Sequence, residues 1–137
     1  MAVVEELIRK ESDGTISFGN YLLNVKSKIS DFEHQGDLYK VKTFHEITKL
    51  ERNGMFVYES VPGTSVFHLD TKGNSLSFEV CGNDNVQVTL ELEAEKEYEI
   101  YKNDENLGKM KTNLGGKLVL SLDFEEDKMD AIKVVKL

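Results

Sequence analysis

The sequence predicts an all-β protein, and three observations support that prediction. Apolar residues occupy every second position in Val86–Leu92 and again in Leu118–Phe124, so each segment would form a strand with one apolar and one polar face. No segment keeps a helical period of apolar residues over the length of an ordinary helix. Turn residues separate the alternating segments, and Asn53-Gly54 is the strongest of these signals, because both of its positions suit the positive φ of a tight hairpin.

The N-terminal third is expected to hold short elements. Apolar positions in residues 3–11 have the spacing of one helical turn, and the same residues would also fit an irregular strand. Asp13-Gly14 predicts a turn, because glycine accepts positive φ without a steric clash. Strands are then expected at Thr15–Phe18 and at Tyr21–Val25, on either side of a break at Gly19-Asn20.

The middle of the chain predicts a corner and a hairpin. Gln35-Gly36-Asp37 is the expected corner, and Leu38–Thr43 after it is rich in β-forming residues. The hairpin consists of His45–Glu51 and Met55–Ser60, joined through the Asn-Gly turn. We therefore expect antiparallel strands throughout this region.

The segment Val61–Thr64 contains the chain's one proline and should interrupt the strand pattern, because proline cannot donate to a sheet ladder. We place a boundary here between an N-terminal β-hairpin region, residues 1–62, and a C-terminal β-sandwich, residues 63–137, against which the first region packs as an antiparallel layer. One continuous domain is the alternative. The strands expected beyond the boundary are Val66–Leu69, Leu76–Val80, Val86–Leu92, Glu97–Lys102, Leu107–Thr112, Lys117–Phe124 and Ala131–Leu137. An acidic, solvated loop at Glu125–Asp130 precedes the last of them.

The composition limits both the size and the partners of the protein. A chain of 137 residues predicts one domain, or two small ones that share a core. Apolar residues make up 39% and charged residues 31%, which is typical of a folded soluble protein. The formal charge of -8 would repel phosphate backbones, and no cluster of Lys and Arg is evident along the sequence. We therefore expect no nucleic-acid partner.

The sequence was also searched for membrane segments, secretory signals and cysteine pairs. No apolar run reaches the roughly 20 residues of a membrane helix, so no membrane partner is expected. The N-terminus lacks the basic region, apolar core and cleavage site of a secretory signal. These observations predict a cytoplasmic protein, with a non-classical secretion route left open. Cys81, the one cysteine, cannot form a disulfide within the chain and is expected to be a buried, inert thiol.

The C-terminal pattern carries a resemblance. Leu90-Glu91-Leu92 ends one strand, Tyr98 follows as a core tyrosine, and Gly116-Lys117-Leu118 begins a later strand. In these features the stretch VTLELEAEKEYEIYKNDENLGKMKTNLGGKLVLSLDF resembles immunoglobulin-like or fibronectin type III-like sandwich domains, similar to those at the C-termini of bacterial glycoside hydrolases. Glu95-Lys96 stands where that pattern usually has Pro-Gly. The resemblance implies an immunoglobulin-like β-sandwich in the C-terminal half and says little about function.

A second resemblance depends on Gly36–Thr64, which reads GDLYKVKTFHEITKLERNGMFVYESVPGT. Through this stretch the full chain is similar to short uncharacterised all-β proteins of anaerobic Gram-positive bacteria, some of which carry the label endosialidase. The resemblance implies a carbohydrate-active enzyme or its accessory subunit. Sialidase chemistry needs clustered arginines and a tyrosine nucleophile with an acidic partner, whereas this chain has only Arg9 and Arg52. We therefore predict no catalytic residues and favour a protein that is not an enzyme.

Other chemistry-bearing residues have ordinary structural explanations. The spacing of His34, His45 and His68 does not require them to converge, although His45 beside Glu46 could form an acid–base pair. Asn83–Asn85 and Asn103–Asn106 offer the oxygen ligands that calcium prefers, but they have the composition of turns and lack calcium-loop spacing. We expect no metal and no cofactor.

The candidate binding residues are His45, Arg52, Phe56 and Tyr58, around the Asn53-Gly54 hairpin. Strict alternation would place Phe56 and Tyr58 on the same face, where aromatic rings can stack on sugars or fill a partner's groove; core packing is the alternative. The missing catalytic constellation and the expected free strand edges predict a binding or assembly module for a protein or a glycan. A homo-oligomer is also expected, because association shields free edges, and light scattering would measure it.

Overall fold

The fold is all-β. A computed structural model describes residues 2–71, 73–83, 85–125 and 128–137, and these described residues contain strands and turns but no helix. A helix able to span a membrane is accordingly not found among them. The strands are β1 (Ile8–Lys10), β2 (Ile16–Phe18), β3 (Ser27–His34), β4 (Asp37–Phe44), β5 (Ile47–Arg52), β6 (Met55–Val61), β7 (Thr64–Asp70), β8 (Ser75–Gly82), β9 (Asn85–Glu91), β10 (Glu97–Lys102), β11 (Glu105–Lys111), β12 (Lys117–Asp123) and β13 (Asp130–Lys136).

The strands form two antiparallel sheets, consistent with a sandwich. One sheet has seven strands in the order β1-β2-β7-β8-β13-β10-β11, and the other has six in the order β12-β9-β6-β5-β4-β3. Residues on both sides of the predicted boundary at 62/63 contribute to both sheets and to one continuous core. The stretch Asn85–Phe124 is also divided, because β9 pairs with β12 in one sheet while β10 pairs with β11 in the other.

Tyr58 lies at the centre of the core. Its side chain is 0% exposed, and its ring makes edge contacts with Phe18 and Phe78, at centroid distances of 5.4 and 5.7 Å. Because these three residues come from β6, β2 and β8, the ring cluster ties the two sheets together. Aromatic pairs in this geometry add favourable electrostatics to the burial of apolar area.

A buried hydroxyl network joins the sheets beside Tyr58. The Thr64 hydroxyl lies 2.8 Å from the Tyr58 hydroxyl and 2.7 Å from that of Ser60. Thr48 donates to the backbone carbonyl of Thr64 at 2.7 Å and lies 2.8 Å from the hydroxyl of Thr43. Each of these buried groups therefore keeps a hydrogen-bonding partner, which avoids the penalty of an unpaired buried hydroxyl.

The predicted strands from Leu38 onward are confirmed, with ends that differ by no more than two residues. The corner at Gln35-Gly36 and the hairpin turn at Asn53-Gly54 are also confirmed, and all four residues have positive φ. The break around Pro62 separates β6 from β7 as expected. The strand β3 was not predicted, and a register shift between Ile29 and Phe32 explains why its alternation is hard to see in the sequence.

The predicted strand at Tyr21–Val25 is wrong, because this segment forms turns and bends. The Asn20 side chain accepts a hydrogen bond from the Leu22 backbone at 3.1 Å, and the Asn20 backbone donates to the Thr43 hydroxyl at 2.9 Å. These bonds hold the chain in a local Asx-type turn, which competes with sheet formation. Residues 3–11 form a turn at Glu5-Glu6, in which the Leu7 backbone donates to the Val4 carbonyl at 3.0 Å, followed by the short strand β1.

The predicted shared face of Phe56 and Tyr58 is also wrong. Tyr58 pairs with Leu50 and Phe56 with Glu51, so Val57 is the extra residue of a β-bulge. Leu50 and Glu51 are consecutive and point to opposite faces, and their partners do the same. Tyr58 therefore enters the core, whereas Phe56 lies on the outer side of the six-stranded sheet.

Candidate functional site

The four predicted binding residues do not form one site. His45 lies exposed in the turn between β4 and β5, with its ring centroid 5.1 Å from that of Phe44. Arg52 lies at the opposite end of β5. The six residues of β5, at 3.3 Å per residue, place the two about 20 Å apart. The structure thus separates His45 from Arg52 and Phe56.

Arg52 and Phe56 do meet at a cleft, which we call the end cleft. It lies where the β5–β6 hairpin approaches the β7–β8 loop and the facing strands β10 and β13, and its volume is about 530 Å³. The apolar lining consists of Met55, Phe56, Val57, Leu76, Leu92 and Tyr98. The charged lining consists of Arg52, Glu91, Glu93 and Lys136. The cleft is therefore an apolar space with a charged rim.

Most of the charges at the end cleft are paired. Lys117, next to the cleft, binds Glu91 at 2.6 Å and places its ammonium 3.8 Å from the centre of the Phe56 ring. Lys136 forms an ion pair with Glu93. The hydrogen bond and charge of Lys136 hold the pKa of Glu93 below its ordinary value.

Tyr58 occupies the core and does not line the end cleft. Burial raises the pKa of its hydroxyl well above the ordinary value, although hydrogen bonds from Thr64 and Ser60 oppose the shift. A direct contact between Tyr58 and a ligand would require the core to open.

A cluster of lysines covers the outer side of β3, β4 and β5. We call it the lysine face and define it by Lys26, Lys28, Lys40, Lys42 and Lys49. Lys28 lies opposite Lys42, and Lys42 lies opposite Lys49, so these three side chains form a row across three strands. Burial and then the charges of the neighbouring lysines lower the pKa of Lys42, although Glu59 opposes this.

Two phenyl rings border the lysine face. The Lys26 ammonium lies 5.8 Å from the centre of the Phe44 ring, and the Lys49 ammonium lies 5.9 Å from that of Phe56. The face also reaches His45, which shares a shallow surface depression with Lys26, Lys42 and Phe44. Among the predicted residues, His45 and Phe56 thus flank this surface at its two ends.

The sequence-based statement that no Lys/Arg cluster exists is therefore wrong. The signal was present as two Lys-x-Lys pairs, at positions 26 and 28 and at positions 40 and 42, with the period of a strand. Only the pairing of β3, β4 and β5 brings these lysines together with Lys49. The expectation of no nucleic-acid partner loses one of its two supports and stays a prediction.

The Asp13–Thr15 turn brings two of the histidines together. His34 Nε2 lies 2.9 Å from the Gly14 carbonyl, and His68 Nδ1 lies 3.2 Å from the Thr15 hydroxyl and 3.4 Å from Asp13 Oδ2. His45 takes no part in this cluster. The contacts connect β2, β3 and β7 at one edge of the sandwich, so they can also be explained by structural roles alone.

Glu11 belongs to the same edge and gives it a testable dependence on pH. Ser17 donates a hydrogen bond to Glu11 at 2.5 Å, and this bond, followed by that from Arg9, lowers the pKa of Glu11 below 4.5. The unfolded chain therefore binds a proton more readily, so this stabilisation is complete above the ordinary pKa and is lost as pH falls through the folded pKa.

In Glu11→Gln, we expect the deficit in unfolding free energy, relative to the unaltered protein, to shrink as the pH is lowered from 6 to 3, measured by urea denaturation. Glu105→Gln, in an exposed part of β11, is the control. A deficit that is the same at both ends of the pH range would contradict the lowered pKa.

The remaining predicted features have structural roles where they are described. Cys81 is buried and donates to the Ala2 carbonyl at 3.2 Å, and burial raises the pKa of its thiol. Asn103-Asp104 is the tight turn between β10 and β11, with positive φ at both residues. No group of three or more metal-ligating side chains is found in the described parts of the chain. Three residues of the predicted features lie outside the described residues: Asp84 of Asn83–Asn85, and Glu126 and Asp127 of the acidic loop.

The chain matches none of the protein-family models, curated proteins or solved structures with which it was compared. A function is therefore inferred from the surfaces described above.

Proposed function

We propose that the protein is a non-enzymatic binding module and that its partner is an acidic glycan bound on the lysine face. The observation that carries this proposal is the row of lysines between two phenyl rings on an exposed side of the sheet. Lysine ammonium groups can pair with the carboxylates of an acidic polysaccharide. Apolar sugar faces can pack on the half-exposed rings of Phe44 and Phe56.

The charge distribution also supports an anionic partner. The whole chain has a formal charge of -8, whereas this face carries five lysines against Glu51 and Glu59 and is therefore net positive. Such a local field attracts an anion to this face in preference to others, and the attraction weakens as salt is added. The net charge of -8 repels any long polyanion at a distance, whether glycan or nucleic acid, so the binding test below separates these two partners.

The test compares two pairs of lysines. Lys28→Gln with Lys40→Gln removes two charges from the lysine face, and Lys109→Gln with Lys111→Gln removes two from the exposed strand β11. With polygalacturonate as the probe, we expect the first pair to weaken binding between about twofold and thirtyfold, from 0.2 to 1 kcal/mol per exposed charge pair. Isothermal titration calorimetry measures the affinity, and the control pair should change it less than twofold.

Binding of different polymers distinguishes an acidic glycan partner from a neutral glycan or a nucleic acid. Dextran, which is neutral, should not bind, and binding of polygalacturonate should weaken with added salt. Equal weakening by both lysine pairs would show that only net charge matters and would reject the lysine face as a site. Tighter binding of a 20-nucleotide oligothymidine than of polygalacturonate would replace the glycan with a nucleic-acid partner.

A carbohydrate-active enzyme, or its accessory subunit, is the alternative. Glu91 and Glu93 both line the end cleft, and glycoside hydrolysis uses a pair of carboxyl groups. One of the pair must act as a general acid and hold a proton, whereas Lys136 lowers the pKa of Glu93 and Lys117 forms an ion pair with Glu91 at 2.6 Å. The ion pairing of these carboxyl groups favours the binding module over an enzyme. Release of reducing sugar from sialylated or common polysaccharides would reverse that preference.

We also propose an immunoglobulin-like arrangement of the C-terminal half, a homo-oligomer and a cellular location. The division of β8 to β13 between the two sheets, with β9 and β12 in one and the other four strands in the other, supports an immunoglobulin-like arrangement of the C-terminal half. The edge strand β12 pairs with β9 without a register shift, and such regular edges support association into a homo-oligomer. A cytoplasmic location is proposed as well, and cell fractionation would test it.

A further inference from the structure

The end cleft adjoins the lysine face at Phe56 but presents a different chemistry. We propose that it binds a small apolar molecule that carries one carboxylate, with the carboxylate paired to Arg52. This site does not depend on the proposed glycan function. Its ligand is distinguished from a glycan by an apolar body and a single negative charge.

The position of Arg52 in β5 is the first observation. Thr48 and Leu50 are fully buried, and Arg52 follows them at the period of a strand, so it belongs to the side of the sheet that faces the core. Because Arg52 is the last residue of the strand, its side chain lies at the mouth of the sandwich and lines the end cleft. A guanidinium directed toward an apolar space favours an anionic partner there.

The second observation is that Arg52 has no such partner within the described part of the chain. No described residue forms an ion pair or a hydrogen bond with its side chain. The other charged lining residues are matched, since Glu93 pairs with Lys136 and Glu91 with Lys117. Among the described residues that line the end cleft, Arg52 therefore carries the positive charge that lacks a partner, and a ligand should supply one negative charge for it.

The third observation is the apolar lining. Leu76 and Tyr98 form buried parts of the wall, and Phe56 and Leu92 are half-buried. The volume of about 530 Å³ lies within the 300–1,000 Å³ range of small-molecule sites. A hydrocarbon body can displace water from these side chains, while a carboxylate at its end forms two parallel hydrogen bonds to the guanidinium.

The experiment compares octanoate with octan-1-ol, which share a chain and differ in charge. By isothermal titration calorimetry at pH 7, we expect the unaltered protein to bind octanoate more tightly. Arg52→Gln should weaken octanoate binding at least tenfold and leave octan-1-ol binding unchanged, because a charged hydrogen bond is lost. Arg9→Gln is the control, since Arg9 pairs with Glu6 and Glu11 away from the cleft.

Methyl NMR of the unaltered protein locates the site without any substitution, so the proposal remains testable even if Arg52→Gln does not fold. Octanoate should shift the methyl signals of Met55 and Leu92. The proposal is overturned if the shifts fall instead on Val4, in the N-terminal cluster, or if octanoate gives no saturable binding. Equal losses of octanoate affinity in Arg52→Gln and Arg9→Gln would also overturn it.

Discussion

Replacing Tyr58 with alanine is expected to lower the free energy of unfolding by about 4 kcal/mol, as typical for truncation of a large buried aromatic side chain. The side chain is fully buried, and its ring contacts Phe18 and Phe78 from the facing sheet. Truncation would leave a cavity at the point where the two sheets are joined. It would also remove the hydrogen bond between the Tyr58 hydroxyl and Thr64. Urea denaturation followed by far-ultraviolet circular dichroism measures the loss.

Tyr58→Phe is the matched control, because it keeps the ring and removes only the hydroxyl. We expect it to cost about 1 kcal/mol, since Thr64 keeps its hydrogen bond to Ser60. Similar losses in Tyr58→Ala and Tyr58→Phe would mean that the ring contributes little and would contradict the assigned core position. If Tyr58 has only a structural role, Tyr58→Phe should also leave polygalacturonate affinity unchanged.

Gly116→Ala is expected to cost about 3 kcal/mol or more, and Gly54→Ala about 1–2 kcal/mol. Both glycines have a φ of +77°, so both substitutions carry the same penalty for the left-handed conformation. The two positions differ in the room available for a Cβ atom. A Cβ at Gly54 would meet no atom within 4 Å, whereas one at Gly116 would lie closer than 3.0 Å to the Leu92 carbonyl oxygen. The difference between the two losses isolates this clash.

The clash matters because the same two residues are hydrogen-bonded. The Leu92 backbone donates to the Gly116 carbonyl at 2.7 Å and so connects the end of β9 to the start of β12. Moving Leu92 away from a new methyl group would strain that bond. Urea denaturation of both variants provides the comparison, and equal losses would show that the backbone at Leu92 relaxes without cost.

The parts of the fold that depend on local signals could be predicted from the sequence. The Asn53-Gly54 turn and the alternation of β9 and β12 each depend on a few consecutive residues. Errors arose where a non-local contact or an extra residue decides the outcome. Asn20 bonds to Thr43 and prevents the strand expected at Tyr21–Val25. The bulge at Val57 reverses the faces expected for its neighbours.

The candidate surfaces were less predictable, for the same physical reason. Arg52 and Phe56 could be identified because the hairpin is local, yet the end cleft also needs Leu76 and Tyr98 from the facing sheet. The lysine face needs the register of three strands, and a one-residue slip would turn its lysines toward the core. Composition alone pointed in the opposite direction, because a net charge averages over all faces.

The register of the lysine face also determines the direction in which a bound polymer would run. Lys28, Lys42 and Lys49 lie side by side on adjacent strands, about 4.8 Å apart, whereas side chains on one face of a single strand repeat at about 6.7 Å. A chain of closely spaced carboxylates therefore finds consecutive partners only when it crosses the strands. Glu59 lies opposite Lys49 on the next strand and ends the row. The crossing path is thus three charges long and has a defined end.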